Sequence, residues 1–151
     1  MAISNAVSFS FRQNLAANGL RLTNSRKAIF KVLVESRPLT FSELLAKTER
    51  MTDRVSVYRN IALFEQLGIV NRIKVGWKYK LELSDSYGVH HHHLICIKCG
   101  RIFDIAEDQH INDFIKAISQ DHAFVPRYHS FEIEGYCRSC AEPVQRTSDI
   151  N

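Results

Sequence analysis

The chain has 151 residues, of which 45% are apolar, and it carries 20 Lys and Arg against 16 Asp and Glu. This composition provides enough apolar surface for one folded domain or two small ones, which excludes a disordered tail. Since no apolar run reaches the roughly 20 residues of a membrane span, and no signal peptide opens the chain, we expect a cytoplasmic protein without a membrane partner.

Positive charge is concentrated in the first half of the chain. Up to Ser84 there are 14 Lys and Arg against 6 Asp and Glu, whereas the remainder has 6 against 10. A basic half can bind a polyanion such as DNA, because neutralised phosphates release condensed counterions. Charge alone fits a solvated basic surface equally well.

Four helices are predicted in the basic half, because apolar residues recur there every three or four positions between capping and breaking residues. The first covers residues 11–18. The predicted N-terminal capping residues of the others are, in chain order, Asn24, then Thr40 or Ser42, then Thr52 with Asp53. The residues predicted to end the first, second and fourth helices are Gly19, Pro38 and Gly68.

A hairpin is predicted after the fourth helix, since residues 69–74 and 78–83 alternate in polarity around Val75-Gly76-Trp77. Helices followed by a hairpin describe a winged helix-turn-helix, in which one helix contacts DNA. The outward side chains of the fourth helix are of types that contact phosphates and base edges: Arg54, Ser56, Tyr58, Arg59 and Asn60. The alternative is an ordinary packed helix with Tyr58 half buried.

The second half of the chain is predicted to be mixed α/β. Strands are predicted over residues 93–96, 101–105 and 130–135, and a helix over residues 110–122. The fold class is therefore α+β. The predicted organisation is a winged-helix DNA-binding domain over 1–84, a hinge over 85–89, a metal-binding domain over 90–140 and a flexible tail over 141–151.

All four cysteines lie in the acidic half as two CxxC motifs, Cys96 with Cys99 and Cys137 with Cys140. In a chain that is not exported, paired CxxC motifs indicate zinc rather than disulfides. Two such turns can place four thiolates about 2.3 Å from one Zn²⁺ and close a tetrahedral site. We therefore predict a structural zinc site, with a redox dithiol pair as the alternative.

A run of four histidines leads into the strand that ends at Cys96. Side chains alternate along a strand, so the even pair, His90 and His92, should face one way and the odd pair, His91 and His93, the other. The alternative is a solvated polar strand. Four crowded imidazoles would repel when protonated, which favours specific metal binding.

Each pair needs further ligands. The predicted further ligand of the odd pair is Glu82 or Asp85. The predicted further ligand of the even pair is His129, because it precedes the strand that leads to Cys137. His110 and His122 stand alone on a helix, and we predict that they are surface residues.

Together these motifs resemble the ferric uptake regulator family of bacterial metalloregulators, from about Leu15 to Cys140. The segments that carry the resemblance are Leu20-Arg21-Leu22-Thr23 through Arg26, Val57-Tyr58-Arg59, Leu67-Gly68-Ile69-Val70, His90 through Gly100, and His129 through Cys140. The resemblance implies a homodimer whose C-terminal domains each hold a four-cysteine zinc. It further implies that metal bound near the hinge sets the spacing of the winged helices for an AT-rich palindromic operator, usually to repress transcription.

Position by position, the resemblance places the family's hinge site on Glu82, His91 and His93, and its second site on His90, His92 and His129. It places Tyr58 and Arg59 on the DNA-reading helix and Arg26 near the DNA. The chain departs from the family pattern at two points. Pro38-Leu39 replaces a frequent histidine, so the hinge site is expected to have three ligands or to recruit Asp85. Asn112 replaces a frequent carboxylate, with Asp108 or Asp113 as possible substitutes.

Zinc is favoured over iron or manganese as the sensed metal. His92 stands where iron-sensing relatives place an aspartate and Asn112 where they place a glutamate, and nitrogen-rich sites suit Zn²⁺. The segment from His129 to Gly135 also resembles the zinc-uptake branch of the family. The alternative within the family is an iron-responsive or peroxide-responsive regulator.

Two other classes of function are weighed against a regulator. A metalloenzyme could use the histidines to activate water, but the sequence lacks a clear general base and a nucleophile motif. The other alternative is a zinc-ribbon interaction module, which binds a partner but does not sense metal. We therefore expect a repressor and not an enzyme, with double-stranded DNA rather than a small-molecule substrate as its ligand.

Overall fold

The computed structural model describes residues 5–88, 90–127 and 129–141. They fall into two compact units, divided between residues 89 and 90. Among the residues described, none of the helices combines the length and apolar composition that crossing a bilayer requires. Residues 142–151, most of the predicted flexible tail, lie outside the described residues.

The first unit contains four helices and a hairpin, in the predicted order. Its elements are α1 (Asn5–Ala17), α2 (Asn24–Val34), α3 (Phe41–Thr48), α4 (Arg54–Gln66), β1 (Val70–Val75), β2 (Lys78–Leu83) and a short 3-10 helix (Asp85–Tyr87). The second unit contains β3 (His91–Cys96), β4 (Ile102–Ala106), α5 (Gln109–Asp121) and β5 (Glu132–Gly135). The α+β class is confirmed.

Helix α1 begins at Asn5 and not, as predicted, at residue 11. The added turns carry Val7, which packs against the same core as the buried Phe11, so tertiary packing extends the helix. At the other end, Gly19 adopts a φ of +69°, the left-handed conformation that favours glycine after a helix.

The predicted N-terminal capping residue is confirmed for two of three helices. Thr40 caps α3 within a capping box, and Asp53 caps α4. The prediction for α2 was wrong, because Thr23 accepts the hydrogen bond from the backbone N–H of Arg26 at 3.3 Å and Asn24 is already helical.

Aromatic side chains form the centre of the first unit. Phe11 stacks on Phe30 with ring centroids 3.9 Å apart and meets the edge of Phe64 at 5.4 Å. Tyr87 joins this cluster through Phe30 at 5.5 Å. The segment predicted as a hinge, residues 85–89, therefore contains the short 3-10 helix, which burial of Tyr87 stabilises.

The hairpin is antiparallel and closely paired. Its register runs from Val70 opposite Leu83 to Val75 opposite Lys78, which leaves a two-residue turn. Gly76, the first turn residue, has a φ of +57°, as the tight turns of hairpins require.

The sheet of the second unit has the order β4-β3-β5, with β3 in the middle. Strand β3 pairs antiparallel with β4 and parallel with β5. Because β3 carries His91, His92 and His93 and ends at Cys96, both neighbouring strands bring their side chains alongside predicted metal ligands.

Candidate metal centres and nucleic-acid interface

Two tight turns present the four cysteines. Cys96 ends β3, and its carbonyl accepts the N–H of Gly100 at 2.8 Å, while the carbonyl of Cys137 accepts the N–H of Cys140 at 2.8 Å. Cys96 pairs with Gly135 in the parallel register of β3 and β5, and Cys137 follows two residues later. Sheet pairing therefore brings together two motifs that are far apart in the sequence.

The geometry of this four-cysteine site fits a tetrahedral metal ion. The four Sγ atoms lie within 4.8 Å of one another, and those of Cys99 and Cys137 are 3.8 Å apart. Zinc with Zn–S bonds of about 2.3 Å separates its sulfur ligands by about 3.8 Å. The donor set and its spacing therefore fit a zinc ion with four thiolate ligands.

The thiols of this site differ in how readily they ionise. The backbone N–H of Cys137 donates to Cys96 Sγ at 3.3 Å, and this bond is the largest cause that lowers the pKa of Cys96 to about 6. Hydrogen bonding to the Cys137 thiol, followed by burial, raises the pKa of Cys140 to about 12. One thiolate forms readily and the last does not, so a divalent cation is the partner that suits four thiolates together.

The even site brings together His90, His92 and His129. One ring nitrogen of each lies within 4.8 Å of the other two, and the Nε2 atoms of His90 and His129 are 2.8 Å apart. Strand pairing favours the approach, because His93 lies opposite Glu132 in the parallel register, and His90 and His129 each lie three residues before this pair. With His92 only 1% exposed, the site offers three imidazoles and partial shielding from water.

The odd site contains a candidate ligand, Asp104, that the sequence analysis did not identify. His91, His93 and Asp104 offer one ligand atom each within 4.8 Å of the others. His93 lies directly opposite Asp104 in the pairing of β3 with β4. Glu82 lies on β2 and Asp85 in the 3-10 helix, both in the first unit, and their part in this site stays a prediction.

Asp108 and Asp113, predicted to replace the carboxylate missing at Asn112, make other contacts in the structure. Asn112 Nδ2 donates to Glu107 Oε1 at 2.7 Å, and Asp113 accepts from Gln109 Nε2 at 2.9 Å. Asp108 caps α5. Within the described ranges, these residues join none of the metal-ligand clusters. The histidines exposed on or beside α5, also outside those clusters, are His110 and His122.

On α4, the predicted DNA-reading residues lie opposite the buried stripe. Tyr58 is 48% exposed, and its ring stacks on Phe41 of α3 with centroids 4.1 Å apart and an interplanar angle of 23°. The guanidinium of Arg54 lies 5.7 Å from the centroid of the same ring. The other predicted contacts are the partly exposed Ser56 and the exposed Arg59. Val55, which the sequence did not single out, is 57% exposed among them.

Arg26 connects two helices of the first unit. Its Nε donates to Asn60 Oδ1 at 3.2 Å, and its Nη1 donates to the carbonyl of Arg21. Asn60 in turn donates to the carbonyl of Ser56 at 2.7 Å. Asn60 is therefore partly buried in a link between α2 and α4, and not a fully outward residue as predicted.

Comparisons with known proteins agree with one another. The sequence profile of the Ferric uptake regulator family matches residues 17–134. A ferric uptake regulation protein of Legionella pneumophila is 33% identical over 85% of this chain and 96% of its own. The peroxide-responsive repressor PerR of Staphylococcus epidermidis is 30% identical over 85% and 87%. A Ferric uptake regulator from Francisella tularensis, solved with iron, is 29% identical and superposes with a TM-score of 0.67 over 82% of this chain and 96% of its own.

Proposed function

Because this chain belongs to the ferric uptake regulator family of metal-dependent transcription regulators, we propose that it is a zinc-responsive repressor of metal-uptake genes in the bacterial cytoplasm. It binds a palindromic AT-rich operator as a homodimer when its regulatory site is loaded with metal. Residues 1–84 supply DNA binding and residues 90–140 supply dimerisation, with the hinge at 85–89.

The first unit is suited to bind DNA through α4. Tyr58 and Val55 offer aromatic and apolar surface to base edges, and Arg54 and Arg59 offer guanidinium groups to phosphates and guanines. The excess of 14 basic over 6 acidic residues up to Ser84 supports the same assignment. Binding should weaken steeply with salt, because each phosphate contact displaces counterions.

In this proposal the protein has three metal sites, and each has a different role. The four-cysteine site holds structural zinc, which stabilises the fold of the second unit. The odd site, with His91, His93, Asp104 and the predicted Glu82, lies next to the hinge in sequence and is the regulatory site. The even site binds a further divalent ion. A bound metal would fix the imidazole and carboxylate side chains in one arrangement.

We infer that both histidine sites take the same metal, and the composition of the even site is the observation that carries the zinc assignment. Its three cluster members are all imidazoles, and the least exposed of them is His92, at 1%. Nitrogen-rich four-coordinate sites suit Zn²⁺, whereas Fe²⁺ and Mn²⁺ gain from additional hard oxygen donors. Asn112, whose amide is hydrogen-bonded to Glu107, adds no carboxylate.

Asp104 favours a second candidate, an iron-responsive or peroxide-responsive regulator. Two histidines with one carboxylate form a set that ferrous iron also accepts. The similar proteins of Legionella and Staphylococcus are named as ferric uptake and peroxide-responsive regulators. In this alternative the odd site has iron as its effector, and zinc is confined to the four-cysteine site.

One experiment tests the proposal as a whole. The purified protein is analysed for metal before and after mild chelation, and each sample is tested for binding to its own promoter DNA. We expect chelation to remove metal from the histidine sites and abolish DNA binding, while one zinc per protomer remains. Equal DNA binding by both samples, after demonstrated removal of the labile metal, would refute metal-dependent repression.

A further inference from the structure

The C-terminal end of α4 is held by residues from two other parts of the first unit. The carbonyls of Leu67, Gly68 and Ile69 lie where a helix leaves its last carbonyls without partners of its own. Asn14 Nδ2, from α1, donates to the carbonyl of Leu67 at 3.3 Å. Ser84 donates to the other two, through Oγ to Gly68 at 2.6 Å and through its backbone N–H to Ile69 at 3.0 Å. The end of α4 is therefore tied to α1 and to the residue that precedes the 3-10 helix.

Tyr87 ties the other end of the 3-10 helix to the same place. Its side chain is 7% exposed, and its ring meets the edge of the Phe30 ring at 5.5 Å. The Tyr87 hydroxyl is hydrogen-bonded to the side chain of Asn14. Burial, the larger effect, raises the pKa of Tyr87, and this hydrogen bond lowers it. Asn14 therefore joins a shielded hydroxyl at the end of the 3-10 helix to the last turn of α4.

The 3-10 helix lies between two groups of predicted metal ligands in the sequence. Glu82 precedes it on β2, and two residues separate Tyr87 from His90, where the histidine run begins. The backbone N–H of Gly88 donates to the carbonyl of Asp85 at 3.2 Å, so hydrogen-bonded backbone continues past Tyr87. A metal bound by the histidine run restrains the chain just after this point. Because the 3-10 helix is held at both ends, such a restraint acts on the first unit as a whole.

Packing alone explains the ring of Tyr87 but not its hydroxyl. The neighbouring aromatic positions of the same core are filled by Phe11, Phe30 and Phe64, and a phenylalanine at residue 87 would pack equally well. A shielded hydroxyl lowers stability unless it has a hydrogen-bond partner, and Asn14 is the partner here. The pair is therefore better explained by the two elements that it connects than by filling of the core.

We propose that Tyr87 and Asn14 are positioning residues that transmit metal binding to the DNA-reading helix. The restraint that metal imposes on the histidine run reaches Tyr87 along the chain, and the bond to Asn14 carries it to Leu67 at the end of α4. This inference rests on the proposed function and names residues that connect its two sites. Without the bond, metal still binds and α4 still contacts DNA, but each event affects the other less.

The test measures how much metal increases DNA affinity. Full-length protein with its four-cysteine site filled is titrated with labelled operator DNA, at saturating regulatory Zn²⁺ and after mild chelation. The ratio of the two affinities is the coupling factor, roughly 5- to 150-fold in allosteric proteins. Tyr87→Phe and Asn14→Ala should each lower this factor about two- to tenfold, the range for loss of one hydrogen bond. The Zn²⁺ affinity of the DNA-free protein should stay unchanged. The double variant should match Asn14→Ala, because both substitutions remove the same bond.

Tyr79→Phe is the matched control. It removes a hydroxyl from a half-buried ring that packs against the same core from β2, and it should keep the full coupling factor. Any contact of that ring with DNA is made with and without metal and cancels in the ratio. Thermal unfolding checks each variant, and since the two test positions lie on different elements, either one that folds is decisive.

The outcomes separate this inference from the proposed function. A folded Tyr87→Phe or Asn14→Ala protein that keeps the coupling factor of the natural protein overturns the inference, even if its DNA affinity falls equally in both metal states. The proposed function then stands. If the natural protein itself binds the operator equally with and without regulatory Zn²⁺, the proposed function fails and this inference with it.

Discussion

His93 lies directly opposite Asp104 across the antiparallel pair of β3 and β4. Residues that face each other in such a pair project on the same side of the sheet, and here their ligand atoms lie within 4.8 Å of each other and of a His91 nitrogen. The odd site thus has a hard oxygen donor from within the second unit. A carboxylate from the hinge region would add to this set and not replace it.

Asp104→Asn tests this relationship. The amide keeps the size of the side chain but removes the charge, so we expect metal affinity at the odd site to fall at least tenfold, about the loss seen even for outer-shell partners of metal ligands. Buffered metal titration of the protein with its four-cysteine site filled measures the change. Asp113→Asn, which alters a carboxylate hydrogen-bonded to Gln109 on α5, is the control. Equal affinities for the two variants would show that Asp104 is not a ligand.

Cys96→Ser tests the structural zinc. Loss of one thiolate should release the metal, and structural zinc contributes on the order of 10 kcal/mol to folding in small domains. We expect the variant to lose one zinc per protomer and the dimer together, as measured by metal analysis after treatment with a weak chelator and by size-exclusion chromatography. Ser139→Ala, inside the second cysteine turn, should keep both. A zinc-free variant that stays dimeric would contradict this prediction.

Tyr58→Ala and Arg26→Ala should change DNA binding in different ways. Loss of the exposed Tyr58 ring should relax sequence preference, because contacts to base edges carry specificity. Loss of Arg26 should weaken binding to all duplexes about equally, since its hydrogen bond to Asn60 joins α2 to α4. Competition between operator and scrambled DNA measures both effects. If neither variant differs from the natural protein, α4 does not contact the DNA.

The stack of Phe41 on Tyr58 predicts a further effect on specificity. Phe41→Leu keeps apolar volume on α3 but removes the ring that restrains Tyr58, and aromatic pairs contribute roughly 0.5–1.5 kcal/mol beyond their buried area. Operator preference should therefore fall about two- to tenfold, with binding to scrambled DNA unchanged. Phe41→Trp should retain the preference. An unchanged preference in Phe41→Leu would mean that Tyr58 needs no support.

The sequence allowed correct prediction of features that depend on local spacing. The cysteines of the two CxxC motifs form one cluster, and the alternation of the histidine run assigns His90 and His92 to one cluster and His91 and His93 to another. Element boundaries were predicted less well. Helix α1 is longer than its periodicity indicates, because its start is stabilised by packing against other helices.

Features that depend on distant pairing could not be predicted. Asp104 joins the odd site through the register of β3 with β4, and spacing alone does not specify that register. Tyr87 lies in the segment predicted as a hinge, and its ring packs against Phe30, which is far away in the sequence.

The central claim is that this chain senses zinc, and the most direct measurement is operator binding at controlled free metal concentration. With the four-cysteine site filled, we predict that binding begins at a free Zn²⁺ concentration far below the Fe²⁺ or Mn²⁺ concentration needed, and that His91→Ala or His93→Ala abolishes the response and spares the fold. Functional response is the necessary readout, because zinc binds well to most nitrogen and oxygen sites. If anaerobic Fe²⁺ switches binding within its cellular range and buffered Zn²⁺ does not, the zinc assignment is contradicted.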